Sequence, residues 1–191
     1  MLASECYISV DVETAGPNPA DYSLLSIGAC LVSDLARGFY IELQPLYDRI
    51  TVEAFSIHQL SLDDLRARGA PPRAAMQQFE TWIAANAPAN ALPIFVAFNA
   101  PFDWMFVNDY FHRYLGYNPF GHSALDIKAL YMGATRGAWL DTGMRKIMTR
   151  YQIEPTPLTH NALSDARDQA RLFQKILTEI HGSANYTNPR E

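Results

Sequence analysis

A chain of 191 residues, 49% apolar and 18% charged, has material for one sizeable core, which argues against global disorder. The formal net charge of −5 argues against a protein that coats long duplex DNA by charge alone. It leaves metal-dependent chemistry open, because bound cations reverse the local field where acids gather. Cys6 and Cys30 each sit in an apolar, strand-like run with no second pair to complete a thiolate metal set, so both read as core residues. The opening MLASECYISVDVE lacks a basic stretch followed by a long apolar one, and no apolar run approaches the ~20 residues of a membrane span. The expectation is a soluble, cytoplasmic protein with no membrane partner.

In chain order, CYISVDV, SLLSIGACLV and FYIELQPL read as three short strands, rich in β-branched or aromatic residues. AGPNPADYS, with one Gly and two Pro, is a loop between the first two. Such short connections predict an antiparallel meander. SLDDLRARG then predicts a helix with Ser61 as N-cap, Asp63 and Asp64 in the first turn and Gly69 as the stop. PPRAAMQQFETWIAANAP predicts a second, with Ala75, Phe79, Trp82 and Ile83 at helical spacing. LPIFVAF is nearly continuous in apolar residues, as expected of a strand buried on both faces. It runs into the helix PFDWMFVNDYFHRYLG, so Asp103 falls at a strand-to-helix junction. SALDIKALYMGA reads as a short strand or turn into a helix, and DTGMRKIMTRYQI as another helix. EPTPLTH is a Pro-rich loop with Thr159 as cap of the last helix, whose buried stripe is Ala166, Ala170, Phe173, Ile176, Leu177 and Ile180. The order predicts one α/β domain with a mixed sheet over residues 1–182, and 183–191 as a flexible tail.

Five polar residues stand out against this frame. Asp11 and Glu13, two apart on the first strand, point to the same face. Asp103 sits at the end of the buried strand, Asp165 early in the last helix on roughly its second turn, and His160 five residues before it. Carboxylates gathered from distant segments repel one another unless a divalent cation holds them. An oxygen-rich set with no Cys and one His suits magnesium. Two metals ~3.5–4 Å apart would stabilise both the attacking and the leaving oxygen of phosphodiester cleavage. A histidine beside them could take a proton from water near working pH.

The segments DVET, NAPFD and HNALSD, with its His-x4-Asp spacing, resemble the three exonuclease motifs of the DEDD superfamily. The histidine marks the DEDDh branch, and DVETAG with YNPFGHSALDIKAL is most similar to ribonuclease T. The resemblance implies the ribonuclease H-like fold, a mixed five-stranded sheet with helices on both faces. It implies a 3′–5′ exonuclease that releases nucleoside monophosphates from the 3′ end of single-stranded nucleic acid or short oligonucleotides. Asp11, Glu13, Asp103 and Asp165 would bind two Mg²⁺ (or Mn²⁺), Asp11 bridging both, with His160 as general base. Thr14, Ala15 and Gly16 would line the pocket of the terminal nucleotide, with Asn99 and Phe102 nearby and Phe102 as a stacking surface. Many relatives carry His before the Asn of the second motif, where this chain has Phe98. That departure implies altered packing or base contact rather than lost catalysis.

Taken singly, each acid has an ordinary reading as a solvated strand end or a charge at a helix N-terminus. It is their joint pattern that favours a site. His58, His112, His122 and His181 belong to no motif and read by default as surface or core residues, His58 being placed to approach the cleft; Tyr22, Trp104 and Asp126 could touch the site but fit structural roles better. Arg66, Arg68 and Arg73 form one basic group, and Arg136, Arg145, Lys146 and Arg150 another. Both fit a solvated helix face better than a track for phosphates. A catalytically silent adaptor of the same fold would ordinarily lack one of the acids, and none is missing. A polymerase-bound proofreading subunit would ordinarily carry a tethering tail, and none is evident. RNA and DNA both stay open, since the distinction rests on 2′-hydroxyl contacts. Dimeric relatives and the aromatic residues Tyr22, Tyr114, Tyr117 and Trp139 permit a homodimer.

Overall fold

Alternating side chains make the first strand the axis of the molecule. In the computed structural model, which describes residues 4–154 and 161–182, β1 (Ser4–Thr14) turns Cys6, Ile8, Val10 and Val12 to one face of the sheet. Tyr7, Ser9, Asp11 and Glu13 go to the other. β2 (Leu24–Leu31) pairs antiparallel with β1, and β3 (Asp34–Glu42) antiparallel with β2. β4 (Ala91–Ala97) lies parallel on the far side of β1, and β5 (Ala124–Asp126) extends the parallel half, for the order β3-β2-β1-β4-β5. The predicted meander and mixed five-stranded sheet are both present.

Helices cover both faces. α1 (Val52–His58) and α2 (Leu62–Arg68) follow the meander. α3 (Pro72–Asn86) and α4 (Ala100–Leu115) bury Ala75, Met76, Phe79, Ile83, Phe106, Val107, Tyr110 and Phe111 on the Val10 face. Phe79 stacks on Phe39 at 5.0 Å and on Phe111 at 5.6 Å, tying α3 to both the sheet and α4. α5 (Ile127–Thr135), a 3-10 turn at Trp139–Asp141, α6 (Met144–Arg150) and α7 (Ala162–Gly182) close the other face. There Phe173 meets Tyr7 edge-on at 5.2 Å.

Several elements differ from expectation. α1 was not predicted: of its seven residues only His58 is buried, so it has no apolar stripe, and a Thr51 cap on the Ala54 amide holds its start. β4 is not buried along its length, because Leu92 is 55% exposed and β5 covers only Phe95–Ala97. The helix expected across 141–153 contracts to α6 behind the 3-10 turn. Asn161 caps the start of α7 through bonds to the amides of Leu163 and Ser164. Thr159, His160 and the 183–191 tail lie outside the described residues. No helix among the described residues is long and apolar enough to cross a membrane.

Candidate active site

β1 runs on past its partner, and the site is built on that overhang. Pairing with β4 ends at Ser9–Val96, whereas pairing with β2 continues to Thr14. The exit half of β1 therefore has one open edge, and the Val12 amide on it donates to Asp103 Oδ1 at 3.1 Å. Asp103 reaches this point because β4 turns directly into α4: Asn99 adopts a left-handed conformation (φ 65°), and Pro101 starts the helix. One carboxylate thus closes a strand edge and stands at the mouth of the site.

α7 brings the remaining acid. Asp165 lies in its first turn, one turn earlier than expected, and its amide bonds to Asn161 O. Ligand oxygens of Asp11, Glu13 and Asp165 lie within 4.8 Å of one another. One helical turn further on, Gln169 donates from Nε2 to Asp11 Oδ1 and accepts the Phe98 amide on Oε1 at 2.8 Å. The amide therefore links the acids to the end of β4. Its position four residues after Asp165, on the same helix face, was the available sequence signal.

The electrostatics are those of a site awaiting positive charge. Burial pushes Asp11 well above the usual carboxylate range, helped by Asp103, Glu13 and Asp165, and only the Gln169 hydrogen bond pulls the other way. Burial, then the charges of Asp165 and Asp103, push Glu13 up to about 8. Burial pushes Asp103 up to about 8 despite hydrogen bonds from its own amide and that of Val12, with Asp126 adding a smaller upward push. Converging hard oxygen donors with no thiolate among them suit a divalent cation of the Mg²⁺ or Mn²⁺ kind.

Beside the acids is a cavity of about 390 Å³, lined among others by Glu13, Thr14, Gly16, Ile57, His58 and Phe102. Of the residues expected around the terminal nucleotide, Thr14, Gly16 and Phe102 line it. Ala15 does not: its side chain is fully buried with Leu25 and Leu65, behind the wall. Asn99 is exposed on the turn into α4, and its amide donates to Asp126 Oδ1 at 3.0 Å. Tyr22 packs where a side chain on Gly16 would have to go, and Trp104 meets Phe95 edge-on, so both are structural.

His58, which belongs to no motif, holds the cavity together. Its Nδ1 accepts the Leu60 amide at 2.9 Å, so its Nε2–H donates to Thr14 O at 3.1 Å. With both ring nitrogens bonded to backbone, it positions α1 against the end of β1. His58→Ala is expected to cost about 1–3 kcal/mol through the unpaired Leu60 amide and Thr14 carbonyl. Steady-state kinetics should show KM for an oligonucleotide rising several-fold, with the larger change in KM rather than kcat.

A mixed sheet carrying this carboxylate cluster at its strand ends defines a nuclease of the ribonuclease H-like fold. Residues 8–173 match the family model described as Exonuclease (RNase_T), and over 172 residues the chain is 45% identical to the 3′-5′ DNA exonuclease Cap18 of Escherichia coli, covering 90% of this chain and 91% of that one. The protein belongs to this exonuclease family and is a 3′–5′ exonuclease. Solved structures share the fold at low identity. The nuclease domain of 3′hExo, a DEDDh family member bound to rAMP, superposes with a TM-score of 0.77 at 12% identity, over 92% of this chain and 93% of that one. Cell-death related nuclease 4 (CRN-4) gives 0.73 at 13%, over 92% and 64%. E. coli Exonuclease I in complex with a dA16 oligonucleotide gives 0.66 at 16%, over 92% and 41%.

Proposed function

We propose that the protein removes nucleotides one at a time from the 3′ end of single-stranded DNA or short oligodeoxynucleotides, releasing nucleoside 5′-monophosphates. The observation that carries this reading is the meeting of Asp11, Glu13 and Asp165 within 4.8 Å beside a largely apolar cavity. DNA is favoured over RNA because Cap18 is a DNA exonuclease. Asp11, Glu13, Asp103 and Asp165 would hold two Mg²⁺ (or Mn²⁺) ions. When bound, such ions supply Lewis-acid stabilisation of the phosphoryl oxygens and lower the pKa of a coordinated water.

The protein's own groups do the rest. Phe102 and Ile57 offer apolar surface to the terminal base, and Thr14 and Gly16 line the same cavity. Gln169 fixes the orientation of Asp11, so the carboxylate is preorganised. His160, five residues before Asp165, serves as the base that accepts the proton of the attacking water.

Product analysis on matched 3′-labelled DNA and RNA strands of graded length tests the reading. Mg²⁺-loaded protein is expected to release mononucleotides stepwise from DNA faster than from RNA, and EDTA to stop it. Release of internal fragments, or faster release from the RNA strand, would count against it.

A further inference from the structure

The cavity and the acids account for the scissile bond and the nucleotide on its 3′ side, but the strand on the 5′ side must also leave the site. Two routes lead away across the sheet. Over β2 and β3 it would pass Glu42, which stands in one cross-strand row with Glu13 and Ser26 and accepts the Tyr40 hydroxyl at 3.0 Å. A carboxylate there repels phosphate. Over the ends of β4 and β5 the surface carries a lysine between two aromatic rings.

Gln169 links Asp11 to the Phe98 backbone on that side. The Lys128 ammonium lies 5.9 Å from the Phe98 ring and 4.3 Å from the Trp139 ring, and it makes no ion pair among the described residues. Several other cations are already paired. Arg66 pairs with Asp48 and Asp63, Arg68 with Asp64, Lys146 with Asp141 and Arg150 with Glu179. Arg73 donates to Tyr114 O.

Trp139 is 50% exposed on a turn that is locked in place. Thr142 Oγ1, buried, donates to Trp139 O at 2.7 Å, and Lys146 Nζ donates to Leu140 O at 3.1 Å. The start of α5 is tied to the active-site turn through one oxygen: Asp126 Oδ1 accepts the amides of Asn99, Ala100 and Lys128. An exposed indole on a hydrogen-bonded turn, a cation on its face and a tie to the active-site turn are what a stacking platform for single-stranded nucleic acid requires.

We propose that Lys128 and Trp139, with Phe98 between them and the acids, form the binding platform for the nucleotides immediately upstream of the scissile bond. Lys128 holds a backbone phosphate, and Trp139 stacks on a base. The platform rests on the exonuclease reading above and extends it to substrate length: short substrates miss the platform and longer ones reach it. It also gives Phe98, the departure from the second motif, a place on the substrate path.

Binding and turnover separate the two readings. With Ca²⁺ in place of Mg²⁺, anisotropy of a labelled oligo-dT of about twelve nucleotides measures the platform without cleavage; Trp139→Ala is expected to weaken binding about tenfold, the value of one lost stack. Trp139→Phe should recover most of it, and Lys128→Gln should lower the slope of log affinity against log salt by about 0.7, one phosphate contact on a single strand. Under Mg²⁺, hydrolysis of the p-nitrophenyl ester of thymidine 5′-monophosphate, which has no upstream strand, should be unchanged in Trp139→Ala and Lys128→Gln, while KM for the long oligonucleotide rises. Unchanged binding, or an equal loss on the ester and the long strand, overturns the platform. Wild-type protein that binds oligo-dT through Trp139 yet leaves both substrates intact overturns the exonuclease reading and keeps the platform.

Discussion

Asp11→Asn is expected to abolish hydrolysis and, at the same time, to stabilise the metal-free protein. The loss of activity follows from the position of Asp11, whose carboxylate meets those of Glu13 and Asp165 and is oriented by Gln169. On the proposed function its removal deletes a metal ligand, and a thousandfold fall or more in kcat corresponds to about 4 kcal/mol, within what metal-assisted stabilisation supplies. The gain in stability follows from the same crowding. Glu13 is raised from 4.5 to about 8 by burial and by the charges of Asp165 and Asp103, and Asp11 is raised by burial and by its three neighbours.

A carboxyl group whose folded pKa is raised binds its proton more tightly in the native state. Its contribution to stability is complete below the unfolded value near 4.5 and is lost as pH rises through about 8. Metal-free wild type should therefore lose stability steadily from pH 5 to pH 8. Asn at position 11 takes Asp11's own raised carboxyl out of that balance and flattens the slope. Mn²⁺ should reverse the pattern, raising the Tm of wild type far more than that of the variant. Thermal denaturation with EDTA and with Mn²⁺ across this range reads both effects. A variant less stable than wild type at pH 8 without metal would mean that the acids are not in mutual repulsion.

The acids were legible in the sequence because each obeys a local rule. Asp11 and Glu13 share a face by strand alternation, and Asp103 follows a long apolar run that ends in Pro101. The stripe through Ala166, Ala170, Phe173, Ile176, Leu177 and Ile180 gave α7 its orientation; the structure buries the first four and packs the last two, half-buried, against the same core. What stayed hidden depends on contacts between distant segments. α1 carries Val52, Phe55 and Ile57 exposed, so it has no periodic signature, yet it supplies a wall of the cavity. The role of His58 rests on a bond to Thr14, 44 residues away, and nothing around it in the sequence announces that. The basic groups could not be resolved by counting, because only the geometry shows that Arg66, Lys146 and Arg150 are paired while Lys128 faces two aromatic rings. Ala15 was placed on the pocket with its neighbours, but strand alternation breaks down where the β1–β2 register shifts at Glu13–Thr14, and its side chain turns inward.

A glycine far from any motif should prove nearly as important to catalysis as the acids. Gly28, on β2, pairs across the sheet with Asp11 and lies directly under the start of α7. A Cβ there would stand 2.0 Å from Ala162 C, 2.1 Å from Leu163 N and 2.3 Å from Ala162 O, all backbone atoms. No rotamer change relieves that clash, so Gly28→Ala must lift the first turn of α7, which carries Asn161, Asp165 and, one turn on, Gln169. Overpacking of this kind costs about 1–3 kcal/mol. A displacement near 1 Å at reacting groups costs about a hundredfold in rate. Gly38 supplies the internal control. It lies under the same helix on β3, but a Cβ there meets Leu163 Cδ1 at 2.9 Å and Arg167 Nη2 at 3.0 Å, the far ends of flexible side chains. Gly38→Ala should therefore fold with near-normal Tm and keep most of its activity, while Gly28→Ala loses about two orders of magnitude in kcat and several degrees in Tm. Chemical denaturation and single-turnover hydrolysis of both variants decide the point. Equal behaviour at the two positions would mean that α7 is not seated on the β2 backbone, and that Asp165 reaches the acids by some other support.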